Sequence, residues 1–230
     1  MDYVFIIICL ITMLTILAVV YNVNIKKLKK IAISEENKLN EITNKYPSNL
    51  EICKYILNKL KNNNVKIEED TNFESCLYIA MANKIVIADL KKSYTRIQTI
   101  AHECLHSIQD RRILLFNFIF SNLYLLYFGI MTILGLLNIL PNKIIFLIIM
   151  LILSYMYYFV RSYLEMDAMT KAKFLAKDYM EEVKISTNEE IEKIIESYDK
   201  INYMGIKMTN YELMLGTIVK TIIMTLAFLF

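Results

Sequence analysis

The stretch "TIAHECLHSIQDRR", residues 99–112, decides how the rest of the chain is read. It holds both histidines of the 230-residue sequence, His102 and His106, four positions apart, with Glu103 directly after the first. On an α-helix, positions i and i+4 project from one face about one turn apart, so the two imidazoles can reach a common ion. Ile97, Ile100, Ala101, Cys104 and Leu105 recur at helical spacing in and just before the stretch, which predicts a helix from about Tyr94 with one apolar face. Beyond "QDRR" the character of the chain changes, and from residue 113 it is almost wholly apolar for dozens of residues.

Composition explains that change. Hydrophobic residues make up 56% of the sequence, with 4 glycines, 2 prolines and no tryptophan, a balance expected of a membrane protein rather than a soluble domain. The net charge is only +3 and no basic cluster alternates with aromatic residues, so nothing recommends nucleic acid as a partner. Cysteines 9, 53, 76 and 104 lack the paired spacing of a metal site or a disulfide framework and read as reduced thiols.

Hydropathy divides the chain into five segments. Residues 1–21 form an N-terminal transmembrane anchor, since "VFIIICLITMLTILAVVY" is uncharged and long enough to cross about 30 Å of hydrocarbon. A cleaved signal peptide is the rival reading, but "MDY" has no basic start. Residues 113–160 form a transmembrane hairpin broken at "PNK", and residues 213–230 form a C-terminal transmembrane or interfacial helix interrupted by Lys220. Basic residues gather beside the remaining segments, 22–112 and 161–212: Lys26, Lys27, Lys29 and Lys30 after the anchor, Arg111 and Arg112 before the hairpin, Arg161, Lys171 and Lys173 after it. The positive-inside rule then puts the N-terminus outside and both of those segments in the cytoplasm.

The expected fold class is therefore an α+β membrane protein: mainly helical, about four transmembrane helices, a small cytoplasmic β-sheet and an HExxH zincin-like helix. In "NLEICKYILNKLKNN", residues 49–63, Leu50, Cys53, Ile56, Leu57 and Leu60 form the stripe of an amphipathic helix. Three β-rich runs follow near 64–68, 76–80 and 84–88, with a turn at Ala82–Asn83. Ser186 or Thr187, each three residues before a glutamate, predicts the capping-box start of a late helix.

The chemistry follows from the histidine spacing. Zinc at about 2.0–2.1 Å from each imidazole nitrogen suits a helical His-x-x-x-His pair. Glu103 can take a proton from a water at such an ion without itself being a ligand. The competing view is that two helical histidines form an ordinary surface or core pair, and a motif with two free positions does arise by accident. Here all the histidine of the chain is spent on it. Catalytic zinc commonly has three protein ligands and an open position, and with no third histidine the third ligand must be a carboxylate. Glu165 is the candidate, because an antiparallel hairpin brings the end of its second arm beside the start of its first; Asp110 reads better as a cap partner for Arg111 or Arg112. Asp167 either orients a ligating imidazole or pairs with Lys171. Cys104 points to another helical face than His102 and reads as a packing residue.

One length does not close. From His106 to Pro141 is 35 residues and from Asn142 to Glu165 only 23, an offset of about 18 Å for unbroken helices. A bend is required at Gly129, at Gly135, at the Asn117–Ser121–Asn122 patch or at "QDRR".

"AHECLHSIQ", followed beyond a hairpin by "LEMDAMTKA", resembles the YugP-like membrane-bound neutral zinc metallopeptidases, which pair "AHExGHAxQ" with a downstream "ExDAxxxA". The likeness covers most of the chain, from the anchor through "KIVIADLKKSYTRIQTIAHE" to the C-terminal apolar helix. It implies one zinc ion held by His102, His106 and Glu165, with Glu103 as general base and Asp167 and Ala168 keeping their places in the pattern. Leu105 departs from it, standing where the family has glycine. The activity expected is hydrolysis of a peptide or protein substrate at the lipid bilayer, the substrate strand pairing along "KIVIA"; a tyrosine such as Tyr94 or Tyr163 could stabilise the oxyanion, and no spacing rule selects either. A non-catalytic zinc-binding membrane scaffold would carry the same ligands and tolerate loss of Glu103.

Overall fold

The computed structural model describes residues 2–22, 38–70, 75–89 and 93–230. The basic run Lys26, Lys27, Lys29 and Lys30 lies outside these residues. Among the described residues the chain is mostly helical with one small sheet. In order it forms α1 (Asp2–Tyr21), a short helical turn at 38–43, α2 (Asn49–Lys59), β1 (Lys66–Glu69), β2 (Leu77–Ile79), β3 (Lys84–Ile87), α3 (Arg96–Ile108), α4 (Arg111–Leu136), α5 (Lys143–Val183) and α6 (Asn188–Ala227). Two compact units emerge, one of Met1–Val23, Phe116–Tyr163 and Lys207–Phe230, the other of Asn24–Leu115 and Leu164–Ile206.

In the second unit the strand order is β1-β3-β2, with β1 parallel and β2 antiparallel to β3. Strand β3 is thus central. The expectation that "KIVIA" offers a free edge is overturned: Ile85, Val86 and Ile87 are all buried, as a strand covered on both faces requires, whereas "KIEE" of β1 is largely exposed. Asn83, at φ 46°, turns the chain between β2 and β3, a left-handed conformation that asparagine tolerates. The core is built from one face of α2, led by Ile52, Cys53, Ile56 and Leu57, from Ile97, Ile100, Ala101, Cys104 and Leu105 of α3, and from Ala168, Ala172 and Ala176 of α5. The stripe of α2 centres on Ile52 rather than Leu50, which is only half-buried. Three alanines spaced by four on α5 present a smooth buried strip, so that helix can lie close to its neighbours.

Helix α3 ends at Ile108. Gln109 turns to φ −64° and ψ 158°, and the Asp110 carboxylate accepts the backbone N–H of Arg112 to begin α4. This break at "QDRR" is the one the length mismatch called for. Helix α4 then runs unbroken through Asn117, Ser121, Asn122, Gly129 and Gly135.

The helices that run through the first unit include three long and apolar enough to cross a membrane, Tyr3–Tyr21, Arg111–Leu136 and Lys143–Val183, with mean hydropathies of 2.9, 1.8 and 2.2. The expected count of about four is three among the described residues. The C-terminal stretch is instead the end of α6, where Lys220 and Glu212 dilute the apolar character and Thr217, Thr221 and Thr225 occupy the buried face. Their hydroxyls donate to carbonyls three or four residues back, which satisfies them without outside partners. The unit's core gathers Tyr124, Leu147, Met150, Met224 and Phe228. Gly135 is needed there, because a Cβ would lie 2.4 Å from the Phe228 ring.

Candidate metal centre

Burying the apolar face of α3 turns His102 and His106 to the opposite side, half-buried, where α5 brings Glu165. Their Nε2 atoms are 3.0 Å apart, and Glu165 Oε2 lies 3.5 Å from the first and 3.6 Å from the second. The circle through three atoms at these separations has a radius of about 2.0 Å, which matches the ~2.0–2.1 Å of zinc–nitrogen and zinc–oxygen bonds. The group can hold a metal ion. The imidazole rings meet edge to face, with planes 89° apart and centroids at 4.5 Å.

Glu103 is only 7% exposed, and its Oε2 accepts the backbone N–H of Tyr78 on edge strand β2 at 2.6 Å. Burial raises its carboxyl pKa, against the pull of His102, His106 and that N–H. Burial likewise works against charge on His106, but Glu165, Glu103 and Gln109 outweigh it and its pKa is raised.

Gln109 was missed by sequence reasoning, although "HSIQ" places it three residues after a ligand candidate. Its Oε1 lies 2.8 Å from His106 Nδ1, while its Nε2 donates to Leu164 O at 2.8 Å and Asp167 Oδ2 at 3.1 Å. Asp167 therefore does not touch an imidazole directly; it reaches His106 through Gln109 and also pairs with Lys171 one turn on.

The remaining candidates fall elsewhere. Cys104 packs in the core with its Sγ 3.8 Å from that of Cys53, and this contact together with burial pushes its thiol pKa up, which suits a packing residue and not a nucleophile. Leu105 is buried in the same core. Tyr94 is buried with its hydroxyl 3.2 Å from Ser197 Oγ, and Tyr163 is an exposed residue of the first unit. No known protein family, curated protein or solved structure matches the chain.

Proposed function

We propose that this chain is an integral-membrane zinc metallopeptidase with His102, His106 and Glu165 as ligands and Glu103 as general base. The observation that carries the reading is the triangle of two imidazole nitrogens and one carboxylate oxygen, sized for a first-row divalent cation, beside a second, buried carboxylate. Two histidines and one carboxylate with an open position is a donor set that suits catalytic zinc. The resemblance of "AHECLHSIQ" and "LEMDAMTKA" to YugP-like metallopeptidases supports the same reading.

Zinc, when bound, supplies a Lewis acid that polarises a carbonyl and acidifies water. Glu103 is held by the Tyr78 amide through one oxygen, which leaves the other to accept the proton of the attacking water and later pass it to the leaving amine. The edge strand for an extended peptide is β2 rather than β3, because Tyr78 places that edge against the base. Membrane residence is supported by the three apolar helices and by the large side chains they leave exposed, such as Phe5 at 67% and Phe159 at 61%. The arginines at 111, 112 and 161 favour an active site on the cytoplasmic side with the N-terminus outside.

Elemental analysis of the detergent-purified chain, paired with a peptide-hydrolysis assay, tests this. About one zinc per chain is expected in wild type and in Glu103→Gln, lost in His106→Ala, with hydrolysis falling about 10²–10⁴-fold in Glu103→Gln. Protein free of zinc, or undiminished hydrolysis by Glu103→Gln, defeats the proposal. Zinc retained without hydrolysis by wild type identifies the non-catalytic scaffold instead.

A further inference from the structure

We infer that Gln109 is the positioning residue of the metal centre: anchored on the Leu164 carbonyl and Asp167, it fixes His106 in the tautomer protonated at Nδ1 and thereby aims a bare Nε2 at the cation. The inference rests on the metal-centre reading above and adds what sets the ligand's protonation and ring orientation.

The chain of donors and acceptors has one solution. A peptide carbonyl only accepts hydrogen bonds, so the atom of Gln109 that lies 2.8 Å from Leu164 O must be the amide nitrogen. Asp167, an ion-paired carboxylate, accepts from the same nitrogen at 3.1 Å. The amide cannot be turned over without setting oxygen against oxygen twice, so Oε1 faces His106 Nδ1. An amide oxygen also only accepts; Nδ1 must therefore carry the hydrogen, and a neutral imidazole then has its lone pair on Nε2. That nitrogen is the one 3.0 Å from His102 Nε2 and 3.6 Å from Glu165 Oε2.

The backbone makes this possible. Gln109 is the first residue to leave α3, and its extended ψ of 158° lets its side chain bridge from the ring of His106 to α5 instead of continuing around the helix. Leu164 directly precedes Glu165, so the same contact that orients one ligand also ties down the backbone beside another. His102 has no hydrogen bond at Nδ1 among the described residues, which makes it an internal control.

Because the chain holds two histidines, labelling histidine alone with nitrogen-15 gives two imidazoles, and long-range nitrogen–proton correlation spectra of the full chain in detergent report the tautomer of each. With and without zinc, one ring of wild type is expected to keep an exchange-protected hydrogen on Nδ1. Gln109→Leu is expected to lose that signal, leave the other ring unchanged and weaken zinc binding about 10–100-fold in chelator competition, as loss of a partner behind a ligating histidine does. Gln109→Met, which keeps the length of the side chain but offers His106 no acceptor and Leu164 no donor, is expected to behave as Gln109→Leu does. Unchanged affinity and an unchanged imidazole spectrum in Gln109→Leu or in folded Gln109→Met overturn the positioning role. Wild type that binds no zinc overturns the metal-centre reading itself, and the two failures are told apart by that single control.

Discussion

Arg96 sits at the start of the helix that carries the centre and is only 3% exposed, yet among the described residues it pairs with no carboxylate. Its Nη1 donates to Pro47 O and Asn49 Oδ1 at 2.9 and 2.7 Å, and its Nη2 to Thr43 O and Tyr46 O at 2.7 and 2.9 Å. A guanidinium spread over four oxygens gathers the carbonyls where one helical turn ends and α2 begins, and burial lowers its pKa without discharging it. Arg96→Met is expected to leave those carbonyls unmatched and to cost on the order of 3 kcal/mol, read as a lower denaturation midpoint. These partners lie between 47 and 53 residues earlier in the chain, so no local pattern announces them. His102, Glu103 and His106 differ in this respect. Their spacing within one helical turn states their relation outright, and Glu165 could be singled out because the chain has no third histidine. Gln109 escaped notice because its role needs both a helix that stops at Ile108 and the carbonyl of Leu164 alongside.

Helix boundaries show how much an element's own residues decide. Thr187 and Glu190 exchange backbone and side-chain hydrogen bonds at 2.9 and 3.2 Å, which selects Thr187 over Ser186 as the cap of α6. The same Ser-x-x-Glu logic operates at "SNLE": Ser48 N–H donates to Glu51 at 3.0 Å, and Ser48 Oγ accepts from the Glu51 N–H at 3.3 Å. That signal was present in the sequence and identifies the start of α2. Ser48→Ala is expected to reduce stability by about 1 kcal/mol, measurable by thermal unfolding followed by circular dichroism, while leaving zinc affinity unchanged because α2 contributes no ligand. The position of β3 was legible too, for an unbroken "IVI" run means burial on both faces whereas an edge strand alternates. Reading it as an edge set its apolar run aside.

For the whole molecule, the consequence of the centre is a link between helices far apart in sequence. Ligands from α3 and α5 held by one ion would join two helices that both line the core of the second unit, so metal that binds only the folded chain stabilises it. Zinc at one hundred times its dissociation constant is expected to add about 2.7 kcal/mol, seen as a thermal midpoint that rises with zinc, falls with chelator and does neither in His106→Ala. The sequence by itself determined the membrane-length helices, the apolar face of α3 and the single-turn spacing of His102 and His106, because hydropathy and helical periodicity are properties of neighbours along the chain. Only the tertiary structure decided which strand is central, that the chain breaks at Gln109, and that Glu165 and Asp167 arrive on either side of the relay to His106. The arrival of Glu165 and Asp167 rests on α5 packing into the core through its alanine strip, strand order rests on β-pairing, and contact between distant segments leaves no periodic trace in the order of the residues.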